Sequence, residues 1–129
     1  MRLLVDDRIK RVLFTLWCLG WLAVFTVSLR PIEELPYGMS DKLLHLLGYA
    51  VMTAGVAGFC HDRHGVLGWA GFAVLLGGLV EVAQHFLPPR TMELGDFLAD
   101  SAGAAIGAAM ALAWIGVVVT PLRRAAAPA

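Results

Sequence analysis

The sequence predicts an all-α polytopic membrane protein, folded as one domain of four transmembrane helices. The first observation is composition: 59% of the 129 residues are hydrophobic and 16% are charged, against about 45–50% and about 25% in soluble domains. The second is that the apolar residues fall into four long runs. The third is that these runs lack the alternating pattern of a membrane barrel. A soluble fold of this size buries only about two-thirds of the surface that its unfolded chain exposes. It would therefore leave too much apolar surface in water.

The charge and cysteine content exclude several other classes of protein. Ten basic and ten acidic residues cancel, so the chain has no net field to attract a polyanion, and we expect no nucleic-acid partner. Two cysteines are too few for a disulfide-rich secreted scaffold. Membrane lipids are therefore the expected surroundings.

Each apolar run is long enough to cross a bilayer. About 20 helical residues span the hydrocarbon, and the backbone there must bond to itself, which predicts helices. The first run is longer than the apolar core of a secretory signal, and no small-residue cleavage site follows it, so we predict a retained anchor. The four runs are Val12–Leu29, Leu43–Cys60, Val66–Leu87 and Phe97–Val119.

The basic residues predict that both termini lie in the cytoplasm, because cytoplasmic segments carry the excess of Lys and Arg. The first and third loops then lie outside. The inner segments then hold Arg2, Arg8, Lys10, Arg11, Arg63, Arg123 and Arg124, whereas the outer ones hold Arg30, Lys42 and Arg90.

Polar side chains gather toward the outer ends of the last three helices, which predicts a wet, outward-facing site. His45, Glu81 and Asp100 form a candidate acid/base cluster, because two buried carboxyl groups can share a proton. A carboxylate inside the membrane costs free energy and usually has a function. Glu81 is therefore a strong candidate for a functional residue. The alternatives for His45 are a structural hydrogen bond between helices and the binding of a metal ion. No metal-binding motif is present, and we predict neither a metal ion nor a cofactor.

Six further residues are candidate ligand-binding groups around this cluster. Two cations at the outer interface are able to hold a phosphate or carboxylate, although such side chains also extend to lipid headgroups. The acids at helix starts have a second interpretation, as favourable charges on the helix dipole. The six residues are Asp41, Lys42, Tyr49, Gln84, Arg90 and Asp96.

A stripe of small residues on the fourth helix includes Gly103 and Gly107. Small residues at this spacing favour close helix packing in membranes. They also offer a contact for a homo-oligomer, so a second copy of the chain is a further expected partner.

Several motifs occur in a fixed order: Asp41-Lys42-x-x-His45, Glu81-x-x-Gln84, Pro89-Arg90, and Asp96-x-x-x-Asp100-x-x-Gly103-x-x-x-Gly107. Over about residues 37–110 this set resembles the VanZ-like family of small bacterial membrane proteins. The family usually has asparagine at the position of Asp100. The resemblance implies a role in the cell envelope and an effect on susceptibility to the glycopeptide teicoplanin.

Three functions are compatible with these observations. The first is an envelope protein whose outward site engages an anionic or glycan-linked amphiphile, such as a lipid-linked or glycopeptide ligand. The second is a membrane enzyme that uses acid/base chemistry on a lipid-linked envelope substrate. The third is a small proton-coupled exporter, although transporter sites usually lie nearer the midplane.

Overall fold

The fold is all-helical over the residues that the structure, a computed structural model, describes: 6–29, 40–87 and 92–125. Three helical segments are long and apolar enough to cross a membrane: Asp7–Ser28, Arg63–His85 and Leu94–Leu122. The all-α class is therefore confirmed, and these three helices support a membrane protein by their length and composition. In chain order the helices are α1 (Asp7–Ser28), α2 (Asp41–Ala54), α3 (Arg63–His85), α4 (Leu94–Trp114) and α5 (Thr120–Ala125).

The second apolar run does not form the single α-helix predicted over residues 43–60. Helix α2 ends at Ala54, and a 3₁₀ turn occupies Gly55–Gly58. A glycine at each end of that turn weakens α-helix formation. With 1.5 Å of rise per α-helical residue and 2.0 Å per 3₁₀ residue, the two segments together reach about 29 Å.

The last apolar run continues beyond α4 through a π-helical segment, Ile115–Val119, into α5. Pro121 has no N–H to donate to the preceding turn, which favours such a wider turn. The Thr120 hydroxyl donates instead to the Ile115 carbonyl, at 3.0 Å.

Side chains cap the starts of three helices. Asp6 accepts from the Arg8 N–H, and the Ser40 hydroxyl accepts from the Leu43 N–H. Before α3, the Asp62 carboxylate accepts from the Gly65 N–H at 2.7 Å, and this hydrogen bond lowers the pKa of Asp62. These bonds satisfy amides that have no partner inside their helices.

An aromatic cluster joins α1 to α2 and α3. The Trp17 ring packs edge-on against Trp69 with centroids 4.8 Å apart, and its N–H donates to the Met52 carbonyl at 2.7 Å. Trp21 packs edge-on against Tyr49. Many leucine and valine side chains are exposed on the outer surface of the helices, as expected of a surface that faces lipid.

The tightest helix contact is between α2 and α4, and it depends on the predicted stripe of small residues. Gly103 lies against the Leu46 carbonyl, and Gly107 lies against the Ala50 carbonyl, so closely that a β-carbon would collide with either oxygen. The predicted close packing thus occurs inside the chain. The face that these glycines would offer to a second copy is already occupied, and a homo-oligomer stays a prediction.

Candidate functional site

Those predicted site residues that the structure describes meet at one end of the helices, where α2, α3 and α4 converge. Its centre is the pair formed by His45 on α2 and Asp100 on α4, with Nδ1 and Oδ1 2.9 Å apart. His45 is 6% exposed and Asp100 is fully buried. The other ring nitrogen, Nε2, lies 3.9 Å from an oxygen of Asp41, one helical turn earlier.

Glu81 on α3 lies beside this pair, also buried. Its Oε2 accepts a hydrogen bond from the backbone N–H of Glu93 at 2.9 Å. Its Oε1 has no hydrogen-bond partner, and neither has Oδ2 of Asp100. One ligand-type atom each from His45, Glu81 and Asp100 lie within 4.8 Å of one another. The structure therefore brings the three candidate acid/base residues together.

Gly77 makes room for Asp100 against α3. A β-carbon at Gly77 would lie 2.9 Å from Asp100 Oδ2 and 3.0 Å from Asp100 Cβ, closer than such atoms normally approach. Gly77 precedes Glu81 by one helical turn, so the two occupy the same face of α3. The absence of a side chain at Gly77 thus lets the two carboxyl groups approach.

Lys42 closes the cluster from its exposed side. Its ammonium donates to Oε2 of Glu93 at 2.6 Å and to Oδ1 of Asp96 at 3.0 Å. These hydrogen bonds raise the pKa of Lys42 above its ordinary value. Lys42 is thus already paired with two carboxylates, and an anionic ligand would compete with both of them.

Tyr49 and Gln84 extend the polar region in different directions. The buried Tyr49 hydroxyl is near enough to the Asp100 carboxyl to interact with it, but the two do not form a hydrogen bond of ordinary geometry. The Gln84 amide donates to the Ser28 carbonyl at 2.8 Å. Gln84 therefore connects α3 to α1 and does not bond to Glu81.

A cavity of about 310 Å³ lies between α1 and α2, next to the cluster. Apolar side chains of α1 form one wall. His45, Asp41 and Tyr49 lie on the α2 wall, as their spacing by four predicts, and Gly48 lies between them. Its β-carbon position has no neighbour within 4 Å. An apolar cavity bordered by a few polar groups is the usual form of a small-molecule site.

Two residues of the site were not among the sequence-based candidates. Glu93 contributes both a carboxylate to Lys42 and an amide to Glu81; its position three residues before Asp96 was the available signal. Gly77 carries no side chain, so its spacing of four residues from Glu81 was the only signal for it in the sequence. The predicted ligand-binding residue Arg90 lies outside the described residues.

The described charges of the cluster favour cations and hydroxyl groups as ligands. Among the described residues it contains one ammonium and one imidazole against the carboxyl groups of Asp41, Glu81, Glu93, Asp96 and Asp100. Carboxylates accept hydrogen bonds and coordinate metal ions.

Comparison of the chain with protein-family models, curated proteins and solved structures finds no match.

Proposed function

We propose that the chain is a VanZ-like integral membrane protein of the bacterial cell envelope that binds a lipid-linked amphiphile. The observation that carries this proposal is the cavity between α1 and α2, which is apolar over most of its surface and ends at His45, Asp41 and Tyr49. An amphiphile has the same two parts: an apolar chain for the cavity and a polar head for the cluster.

In this proposal four segments cross the inner membrane, with both termini in the cytoplasm. The combined rise of α2 and its 3₁₀ turn, about 29 Å, supports a second crossing despite the shortness of α2. The polar cluster then faces outward, where envelope lipids carry their glycans.

The charges favour a glycan-linked head over a simple anion. Lys42 is engaged by Glu93 and Asp96, and the other described charges of the cluster, His45 apart, are carboxylates. Sugar hydroxyls donate hydrogen bonds that carboxylates accept. Sequestering such a lipid offers a physical route to altered glycopeptide susceptibility, the effect that the family resemblance implies.

Photolabelling with an alkyl glycoside that carries a diazirine in its chain tests this proposal. We expect labelled peptides from α1 and α2, and weaker labelling by an alkyl phosphate of equal chain length. Gly48→Leu should abolish the labelling, because its side chain enters the cavity. Gly68→Leu is the matched control, since Gly68 is exposed and also has no neighbour within 4 Å. Equal labelling of both variants would refute the binding site.

The His45–Asp100 pair favours a second candidate, a membrane enzyme that uses acid/base chemistry on the same lipid. A carboxylate that holds one imidazole nitrogen orients the ring and leaves the other nitrogen to exchange a proton. Ser101 is not the nucleophile in this arrangement, because its hydroxyl donates to the Phe97 carbonyl of its own helix. Lipid extracts from cells expressing the parent chain or Glu81→Gln test the candidate; identical lipid profiles would exclude it.

A further inference from the structure

We propose that His45, Glu81 and Asp100 bind one divalent transition-metal ion. Each residue comes from a different helix, and each offers a ligand atom within 4.8 Å of the other two. All three side chains are buried. The sequence-based prediction of no metal ion rested on the lack of a local motif, but these ligands are distant in the chain and meet only in the fold.

The oxygens without partners are the second observation that points to a cation. Glu81 is 2% exposed and Asp100 is fully buried, yet Oε1 of the first and Oδ2 of the second have no hydrogen-bond partner. A buried polar atom without a partner costs free energy, and native structures contain few of them. A cation coordinated by Oε1 of Glu81 and by both oxygens of the Asp100 carboxylate would satisfy these atoms.

The geometry of the three ligands suits a small cation. Two ligands at 90° with bonds of about 2.1 Å are about 3.0 Å apart, close to the 2.9 Å between His45 Nδ1 and Asp100 Oδ1. An ion bound there would replace the hydrogen bond between these two atoms, because a nitrogen that coordinates a metal has no proton to donate. The Glu93 amide holds one oxygen of Glu81 and leaves the other for coordination. Such outer hydrogen bonds commonly orient metal ligands.

A second group, formed by Asp41, His45 and Asp96, also has its ligand atoms within 4.8 Å. There, however, Asp96 binds the ammonium of Lys42 at 3.0 Å, and that positive charge repels a metal ion. Asp41 is also less buried than Glu81. The buried trio is therefore the better site.

The ligand set selects the class of ion. Mg²⁺ and Ca²⁺ are bound by oxygen ligands, whereas an imidazole with two carboxylates suits Mn²⁺, Fe²⁺ or Zn²⁺. Two carboxylates neutralise a divalent charge, which lowers the cost of burying all three groups together. The ion would also present a positive charge to the head of the amphiphile; only this last role rests on the proposed function.

Titration of the purified full chain with Mn²⁺ tests the inference. Chelator-stripped protein in detergent is mixed with Mn²⁺, and the free ion is measured by its EPR signal, without any amphiphile. We expect one ion per chain, a loss of affinity of at least about 10-fold in Glu81→Gln and Asp100→Asn, and unchanged affinity in Asp7→Asn, whose carboxylate is exposed at the start of α1. Gel filtration verifies the fold of each variant. Pulsed EPR of the parent chain should show coupling of Mn²⁺ to an imidazole nitrogen, a result that needs no variant.

Several results would overturn the metal site. These are the absence of Mn²⁺ binding, the absence of nitrogen coupling, or equal affinity in the parent chain, Glu81→Gln and Asp100→Asn. A loss in Asp96→Asn as large as in Asp100→Asn would place the ion at the other group and would also refute the proposed site.

Repeating the photolabelling on stripped protein separates the two proposals. Labelling without Mn²⁺ affinity overturns the metal site alone, and Mn²⁺ affinity with unaltered labelling of Gly48→Leu overturns the amphiphile site alone.

Discussion

His45 Nδ1 lies 2.9 Å from Asp100 Oδ1, and this contact ties α2 to α4 inside a buried polar cluster. Both side chains are almost completely removed from solvent. The pair is therefore the point at which changes of charge should have the largest effect on stability.

Removing the imidazole should destabilise the protein strongly. His45→Ala leaves the Asp100 carboxyl buried without its partner, and such losses cost about 3–5 kcal/mol. Unfolding in mixed detergent micelles, followed by tryptophan fluorescence, measures the change. In Asp100→Asn the amide still bonds to His45, so its loss should be smaller. Equal losses in the two variants would contradict the explanation by an uncompensated charge.

A methyl group at Gly77 should disturb the same cluster from α3. Its carbon would lie 2.9 Å from Asp100 Oδ2, and overpacking of this kind costs about 1–3 kcal/mol. Gly78→Ala is the control, because its nearest contact is Phe97 at an ordinary 3.5 Å. We expect a lower melting temperature for Gly77→Ala only. A similar decrease in the control would indicate that glycine itself matters for α3.

Gly107→Ala should separate α2 from α4. Its β-carbon would collide with the Ala50 carbonyl and lie 2.8 Å from Thr53 Cβ, and a backbone oxygen cannot rotate away. We expect a loss of about 1–3 kcal/mol and faster proteolysis near the 3₁₀ turn. Gly116→Ala, with nothing within 4 Å of the added carbon, should change neither quantity. A stable, protease-resistant Gly107→Ala protein would contradict the observed packing.

The Lys42 cluster should respond to alkaline pH. Because Glu93 and Asp96 raise the pKa of Lys42, its stabilising effect is complete below the ordinary lysine value of 10.5. The effect is lost as the pH rises through the higher folded-state pKa. The melting temperature of the parent chain should therefore exceed that of Lys42→Gln at neutral pH, and the two should converge in strong alkali. A difference that did not depend on pH would indicate that packing of the lysine stem, not its charge, is responsible.

The sequence predicted the three helices that are long and apolar enough to cross a membrane, and it predicted several of the polar faces. Spacing by four placed Asp41, His45 and Tyr49 together, and all three line one cavity. The cost of an intramembrane carboxylate singled out Glu81, which the structure buries. These predictions succeeded because they depend on helical periodicity and hydrophobicity, which act locally.

Contacts between distant segments were beyond such reasoning. The Glu93 amide that holds Glu81 follows a loop, and pattern analysis does not give the path of a loop. The pairing of Lys42 with Glu93 and Asp96 depends on how α2 and α4 are aligned. Local hydrophobicity also failed to show that α2 ends at Ala54, because the apolar run continues past its glycines.

The close contact of α2 with α4 has a consequence for biogenesis. Helix α2 is short and carries Asp41, Lys42 and His45, so it is a weak candidate for spontaneous insertion by its own hydrophobicity. Its tightest partner, α4, is synthesised later. If α2 crosses the membrane as proposed, we expect it to complete its insertion only after α4 has been synthesised and the two glycine contacts have formed.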